Sequence, residues 1–346
     1  MDCLIGLGSN VGNRTAQLSD AISQFCGNPQ IEFISVSNFY ETDPVGGPSH
    51  QPRFLNAALR VECQLTPSEL LAWSQQIEHT LGRERLERWG PRVIDVDLLL
   101  CDQLVLEEAE LTLPHPRMAV RRFVLEPANE IAGDMTHPST GWTVSNLFAR
   151  MCEPTSYIAL AGLQAAETRA LVQDVAGAPD TYTLFDRNSD ELFSWPRDGS
   201  EREGQVELAR VARRLQKLVA LEPKIRHTPD CRVVSDFWIN QTLAIARVFF
   251  EGSMRERIEH ACLASSEAVR VPKMIFYLEP PKGTLPVGRS SSQEPHDSES
   301  EARQARFSEA LRQQVAMPGQ GPVIRVDGTK METVRSEWAA ALAAMT

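Results

Sequence analysis

A chain of 346 residues is too long for one ordinary domain and suits two. Its apolar fraction of 42% and charged fraction of 23% are those of a globular protein in water, with no apolar run long enough to span a membrane and no visible signal segment, since Asp2 and Gly6 interrupt the first apolar stretch. A net charge of −11 excludes a general nucleic-acid surface, and seven cysteines without a Cys-x-x-Cys pair predict buried thiols in a reduced, cytoplasmic setting.

Residues 2–7 predict a strand ended by Gly8-Ser9-Asn10, after which Leu18, Ala21, Ile22 and Phe25 keep helical spacing. Residues 31–42 predict a second strand and residues 54–63 a third. The loop between them, 43–53, is rich in proline and glycine and long for a hairpin, which marks it as functional. Thr66-Pro67-Ser68-Glu69 forms a capping box, so a helix carrying Leu70, Trp73, Ile77 and Leu81 runs from there to Gly82. The run Val93-Ile94-Asp95-Val96-Asp97-Leu98-Leu99-Leu100 predicts a fourth strand. Strand, helix, strand, strand, helix, strand is the split βαβ order of a ferredoxin-like α+β domain, assigned to residues 1–152. That topology predicts the fourth strand in the interior of the sheet or beside its centre.

Side chains alternate along a strand, so Asp95 and Asp97 point the same way with roughly 7 Å between their Cβ atoms. Two acids among apolar neighbours are costly to bury without a cation, which points to a magnesium site. Arg83, Arg85, Arg88 and Arg92 precede the pair, Arg117, Arg121 and Arg122 follow it, and residues 1–150 hold no lysine. A planar guanidinium grips phosphate oxygens in pairs, so acids for a metal beside arginines for developing charge are the equipment of phosphoryl transfer. The same spacing also suits two solvent-facing acids on an edge strand, with the arginines as surface charge. The predicted topology brings Thr42, Val45, Phe54, Asn56, His115 and Phe123 to one pocket, where Phe54, Trp89 and Phe123 can sandwich a flat heterocycle and the Asn56 amide can pair with its edge. Taken singly, each of those aromatics is better read as a core residue.

The motifs Gly6-Leu7-Gly8-Ser9-Asn10, Phe39-Tyr40-Glu41-Thr42, Phe54-Leu55-Asn56-Ala57-Ala58, Gly82-Arg83, Arg88-Trp89-Gly90-Pro91-Arg92, Asp95-Val96-Asp97 and Pro114-His115-Pro116-Arg117-Met118 together resemble the 6-hydroxymethyl-7,8-dihydropterin pyrophosphokinase family, in order, across about residues 1–150. The resemblance implies transfer of pyrophosphate from ATP to the hydroxymethyl group of a reduced pterin, releasing AMP, in folate biosynthesis. It implies that Asp95 and Asp97 bind a pair of Mg²⁺ ions bridging the triphosphate, one of which lowers the pKa of the attacking hydroxyl. Arg83, Arg92, Arg121 and His115 would contact phosphates, and Glu78 and Arg85 would lie near the nucleotide. Thr42, Val45, Phe54, Asn56 and Phe123 would line the pterin pocket with Trp89 at its rim, and the loops 43–53 and 82–92 would close over the substrates. Asp43 departs from the pattern, since a small apolar residue or proline sits more comfortably beside a pterin.

His137-Pro138-Ser139-Thr140-Gly141 and Glu153-Pro154-Thr155-Ser156 punctuate the chain, and a second domain is assigned to residues 157–346. Residues 157–162 predict a strand, helices follow at about 165–176, 205–221, 240–251 and 254–268, and a strand at 273–278 precedes a polar tract at 280–300. A helix from Glu301, a strand at 322–326 and a helix from Met331 complete a doubly wound parallel sheet. The opening strand, Ser235-Asp236-Phe237 and Ile275-Phe276-Tyr277-Leu278 resemble landmarks of the deoxynucleoside kinases, a P-loop fold. A working P-loop needs several glycines and a lysine followed by Ser or Thr. Here the segment is Gly162-Leu163-Gln164-Ala165-Ala166-Glu167-Thr168-Arg169, and lysine first occurs at Lys217. The expectation is a kinase-like fold without phosphate chemistry, serving regulation, stability or homodimerisation. The alternatives are an active nucleoside kinase using Arg169, and a chain that is a non-enzymatic scaffold throughout.

Overall fold

The computed structural model describes residues 1–48, 50–83, 89–153, 156–162, 165–186, 196, 199–225, 231–280 and 298–345. The chain divides into two compact units, Met1–Cys152 with Ala339–Thr346, and Glu153–Trp338. Among the described residues no helix is long and apolar enough to cross a membrane. Cys3, Cys63, Cys101, Cys231 and Cys262 are buried as expected, whereas Cys26 and Cys152 are exposed.

The first unit runs β1 (Asp2–Ser9), α1 (Arg14–Cys26), β2 (Ile31–Val36), β3 (Tyr40–Thr42), β4 (Phe54–Cys63), α2 (Pro67–Thr80) and β5 (Asp95–Cys101). Asn13 caps α1, and α2 starts on the predicted box, Thr66 and Glu69 each bonding the other's backbone. The antiparallel sheet has the order β2-β4-β1-β5, with β3 on the far end of β4. This is the split βαβ arrangement, with β5 beside the central strand β1, as expected, and at the sheet's edge. The predicted strand over 31–42 is also two strands. The Ser37 hydroxyl takes the place of a ladder acceptor for the Ala58 N–H, and Asn38 turns out to bond Glu130, so pairing lapses between β2 and β3.

Period-two alternation gives the sheet two different faces. Ile5, Leu7, Leu59 and Val96 meet Leu18, Phe25, Leu70 and Ile77 of α1 and α2 in one core. The opposite face carries Leu4, Ala58 and Leu99, and it is covered farther along the chain. There the hairpin of β6 (Leu106–Glu107) and β7 (Thr112–Leu113) leads to α3 (Arg122–Ala132), the hairpin of β8 (Thr136–His137) and β9 (Trp142–Thr143), and α4 (Val144–Cys152). Met118, Leu125 and Leu147 from this stretch close a second core on Leu4 and Leu99. The covering stops short of one end of the sheet, where Gly8, Asn56 and Asp95 stand.

The second unit contains β10 (Ile158–Gly162), α5 (Ala165–Asp174), β11 (Thr181–Leu184), α6 (Glu201–Ile225), β12 (Arg232–Ser235), α7 (Gln241–Phe249), α8 (Gly252–Ala268), β13 (Met274–Glu279), α9 (Ser298–Val315), β14 (Val323–Asp327) and α10 (Met331–Ala343). Its sheet is wholly parallel in the order β11-β12-β10-β13-β14, as alternating strands and helices predict. Ala159, Ala161, Ile275 and Tyr277 bury one face against Val211, Leu243, Ile258 and Leu311. On the other face Phe276 packs edge-on against Trp338 of α10, whose indole N–H donates to the Leu171 carbonyl of α5. The four-residue strands β11 and β12 were not anticipated, being too short for alternation to show.

Candidate active site

The site is built on one row of residues crossing three strands. Gly8 of β1 is paired with Asn56 of β4 on one side and with Asp95 of β5 on the other, while Gly6 is paired with Ala58 and Asp97. Paired residues share a face, so Asn56, Asp95 and Asp97 project from the same side with glycines forming the floor between them. The floor is tight: a Cβ at Gly8 would lie 3.1 Å from Asn56 Oδ1, 3.8 Å from the Phe54 ring and 3.9 Å from the Asp95 Cβ. Asp95 and Asp97 alternate with buried Val96, and their side chains are 23% and 35% exposed, so both are partly sheltered at the mouth of the sheet.

Arginines surround the acids. Arg83 Nη1 lies 2.6 Å from one Asp95 oxygen and Arg92 Nη1 2.7 Å from the other. Arg121 Nη1 and His115 Nε2 approach Asp97 at 3.8 and 3.9 Å. Burial, and then the charge of Asp97, push the Asp95 carboxyl above its ordinary range, against the pull of Arg92, Arg83 and Arg121. Burial, then Arg121 and Arg117, push His115 down to about 3, so the ring is neutral near pH 7. The Arg117 N–H donates to His115 Nδ1 at 3.2 Å, which leaves the hydrogen on Nε2, facing Asp97. Burial also lowers the Arg121 pKa. Glu78 has a different setting: it is buried behind β5, accepting the Val96 N–H at 2.8 Å and bonding Arg83. It holds the backbone between the two acids.

Beside the acids, Asn56 Nδ2 donates to Thr42 Oγ1 at 2.7 Å, which orients the amide and leaves its Oδ1 above the glycine floor. Arg121 lies over the ring of Phe123 at 5.6 Å and Arg117 over that of Trp89 at 5.8 Å, so both rings flank the arginines. Val45 is half-buried in the loop, and Arg85 lies outside the described residues. Asp43 faces solvent in an ion pair with Arg53 at 2.8 Å.

Two contributors escaped sequence reasoning. Asn10, 2% exposed, accepts the Arg92 N–H at 2.8 Å, while its own N–H donates to the Arg92 carbonyl and its amide to Pro52. Gln51 donates to the Trp89 and Gly46 carbonyls, so the two glycine-bearing loops are fastened together. Asn10 looked like a strand-ending residue and Gln51 like loop polarity, and only tertiary contact reveals a buried amide clamp. Among the described residues no three His, Cys, Asp or Glu side chains gather into a metal cage. Two carboxylates alone would leave any cation held there to take its remaining donors from substrate or water oxygens.

A carboxylate pair ringed by guanidinium groups, next to an amide and aromatic rings, is suited to an enzyme that moves phosphoryl groups onto a flat heterocyclic acceptor. The sequence model of the family 7,8-dihydro-6-hydroxymethylpterin-pyrophosphokinase matches residues 4–133. The 2-amino-4-hydroxy-6-hydroxymethyldihydropteridine pyrophosphokinase of Bacillus subtilis is 44% identical over 136 residues, 39% of this chain and 81% of that protein. Proteins of the same name from Synechocystis and Methylorubrum extorquens are 39% identical over 148 residues and 41% identical over 147, covering 43% and 42% of this chain and 75% and 91% of theirs. The chain belongs, through residues 4–133, to the 7,8-dihydro-6-hydroxymethylpterin-pyrophosphokinase family.

Proposed function

We propose that the first unit transfers pyrophosphate from ATP to the hydroxymethyl oxygen of 6-hydroxymethyl-7,8-dihydropterin: the oxygen gives up its proton to solvent and bonds to the β-phosphorus, the bond to the α-phosphate oxygen breaks, and AMP leaves. The observation that carries this reading is the row Asn56–Gly8–Asp95, where an amide able to pair with a heterocycle's edge stands next to an acid able to serve phosphates. Asn56 presents its Oδ1 to the pterin edge, with Phe54 and Phe123 against the ring. Asp95 and Asp97 offer the hard oxygen donors that suit Mg²⁺, and the raised pKa of Asp95 marks a carboxylate in need of positive charge. Magnesium bound there supplies charge neutralisation for the triphosphate. Arg83 and Arg92 then turn from Asp95 toward phosphate oxygens, Arg121 serves the same chain from the Asp97 side, and neutral His115 donates from Nε2. The test is AMP release by the full chain: formation of AMP that requires both the pterin and a divalent cation supports the reading, and ATP cleavage indifferent to the pterin refutes it.

For the second unit the reading is a nucleoside-kinase-like fold that has lost phosphate chemistry. Gly162 ends the central strand and α5 follows with Glu167 in its first turn, where phosphate would meet a like charge. Arg169 lies over the Phe185 ring at 4.9 Å, and Lys217 is spent on the Phe185 and Asp186 carbonyls. The rival, an active nucleoside kinase, draws on Asp186 and Asp236, which follow β11 and β12 at the carboxyl edge of the sheet, where ligands of such folds bind. Two of the eight P-loop positions, 163–164, and most of the polar tract, 281–297, lie outside the described residues.

A further inference from the structure

Helix α3 brings Arg121 and Phe123 to the site from its first turn, yet it has no cap of its own: Arg121 stands at the N-cap without a side-chain bond, and the first turn holds no acid. The opening N–H groups of a helix have no intrahelical acceptor and need one from elsewhere. The Arg122 N–H finds it more than two hundred residues away, in the Ala344 carbonyl at 2.8 Å. Ala344 is 4% exposed, and Met345 packs on the cluster of Leu99, Met118, Val124 and Leu125. Residues Ala339–Thr346 belong to the same compact unit as α3, although the family match ends at residue 133. The segment holding the start of α3 therefore comes from outside the matched region. Its effect is local and specific, because the restrained peptide lies between the arginine facing Asp97 at 3.8 Å and the ring beneath that arginine.

We infer that Ala344 and Met345 are positioning residues for pyrophosphoryl transfer: they anchor the first turn of α3 and so aim Arg121 at the triphosphate and Phe123 at the pterin. The inference rests on the roles given to Arg121 and Phe123 above. Loss of the anchor loosens the turn without removing a group that touches substrate. Binding should therefore suffer more than the chemical step.

The experiment compares the full chain with a variant lacking residues 344–346 and with Arg121→Ala. Deletion is expected to raise the KM for ATP and pterin about fivefold, the scale of one lost hydrogen bond, with kcat changed less. The Arg122 amide should exchange faster with solvent while the other α3 amides keep their protection. Ala344→Gly retains the carbonyl and should stay within about twofold of the parent KM values. If Arg121→Ala weakens ATP binding but the deletion alters neither KM nor Arg122 exchange, the positioning role is overturned. A deletion that lowers kcat and the melting temperature together at constant KM overturns it too, since that is the mark of packing alone. An Arg121→Ala chain with unchanged KM and kcat instead removes the site reading beneath the inference.

Discussion

At the scale of single residues, the proposed chemistry rests on two like charges side by side on β5, Asp95 and Asp97. Asp97 raises the pKa of Asp95, so Asp97→Asn should lower it, measurable by following the Asp95 carboxyl through an NMR titration. The same variant should lose pyrophosphoryl transfer by about a hundred- to a thousandfold, as removal of one electrostatic stabiliser commonly does, while circular dichroism and melting stay close to the parent. A normal rate in Asp97→Asn would exclude the carboxylate pair from the reaction. Gly8 makes a complementary prediction. An added Cβ would meet Asn56 Oδ1 at 3.1 Å, so Gly8→Ala should displace the amide and raise the pterin KM while leaving the ATP KM nearly unchanged. The acids were legible in the sequence because spacing along a strand determines which side chains share a face. Glu78 was legible only as a charge near the site, since its bond to the Val96 N–H depends on how α2 packs on β5.

At the scale of elements, the two loops flanking the site are locked by close backbone approach. Gly47 has a φ of +74°, and a Cβ there would lie 2.2 Å from the Trp89 carbonyl oxygen, so Gly47→Ala should cost about 1–3 kcal/mol and part the loops. Chemical denaturation gives the cost, and Trp89 quenching reports the parting. The β8–β9 hairpin supplies a pH prediction. Burial holds His137 down at about 4, below its ordinary 6.5, so between those values the unfolded chain binds a proton that the folded chain does not. Stability is thus complete above pH 6.5 and falls toward pH 4 by about 1.4 kcal/mol per unit. His137→Asn keeps an acceptor for the Thr140 N–H and should flatten that slope in urea titrations at successive pH values. The elements legible in sequence were those with long periodic runs or caps, such as α2 with Thr66 and Glu69. The break between β2 and β3 was not, because it is made by Ser37 and by Glu130 from a distant helix. The edge position of β5 follows from strand order, which no local pattern encodes.

At the scale of the whole molecule, the family's chemistry occupies residues 4–133 and most of the chain lies beyond it. At the carboxyl edge of the second unit's sheet, the guanidinium groups near Asp186 are engaged. Arg214 forks onto Asp186 with two bonds of 3.0 Å and bonds Thr242, while Arg169 covers Phe185. Burial raises the Asp236 carboxyl to about 6. A guanidinium committed to a buried carboxylate cannot turn to a triphosphate without stranding that acid, a loss on the order of 3–5 kcal/mol. An Asp97→Asn full chain, silenced in its first unit, should therefore form no deoxynucleoside monophosphate from ATP with any of the four deoxynucleosides. Monophosphate formation in that background would assign catalysis to the second unit. Its disappearance in Asp236→Asn, with Asp186→Asn as the companion variant, would then place the nucleoside at the ends of β11 and β12.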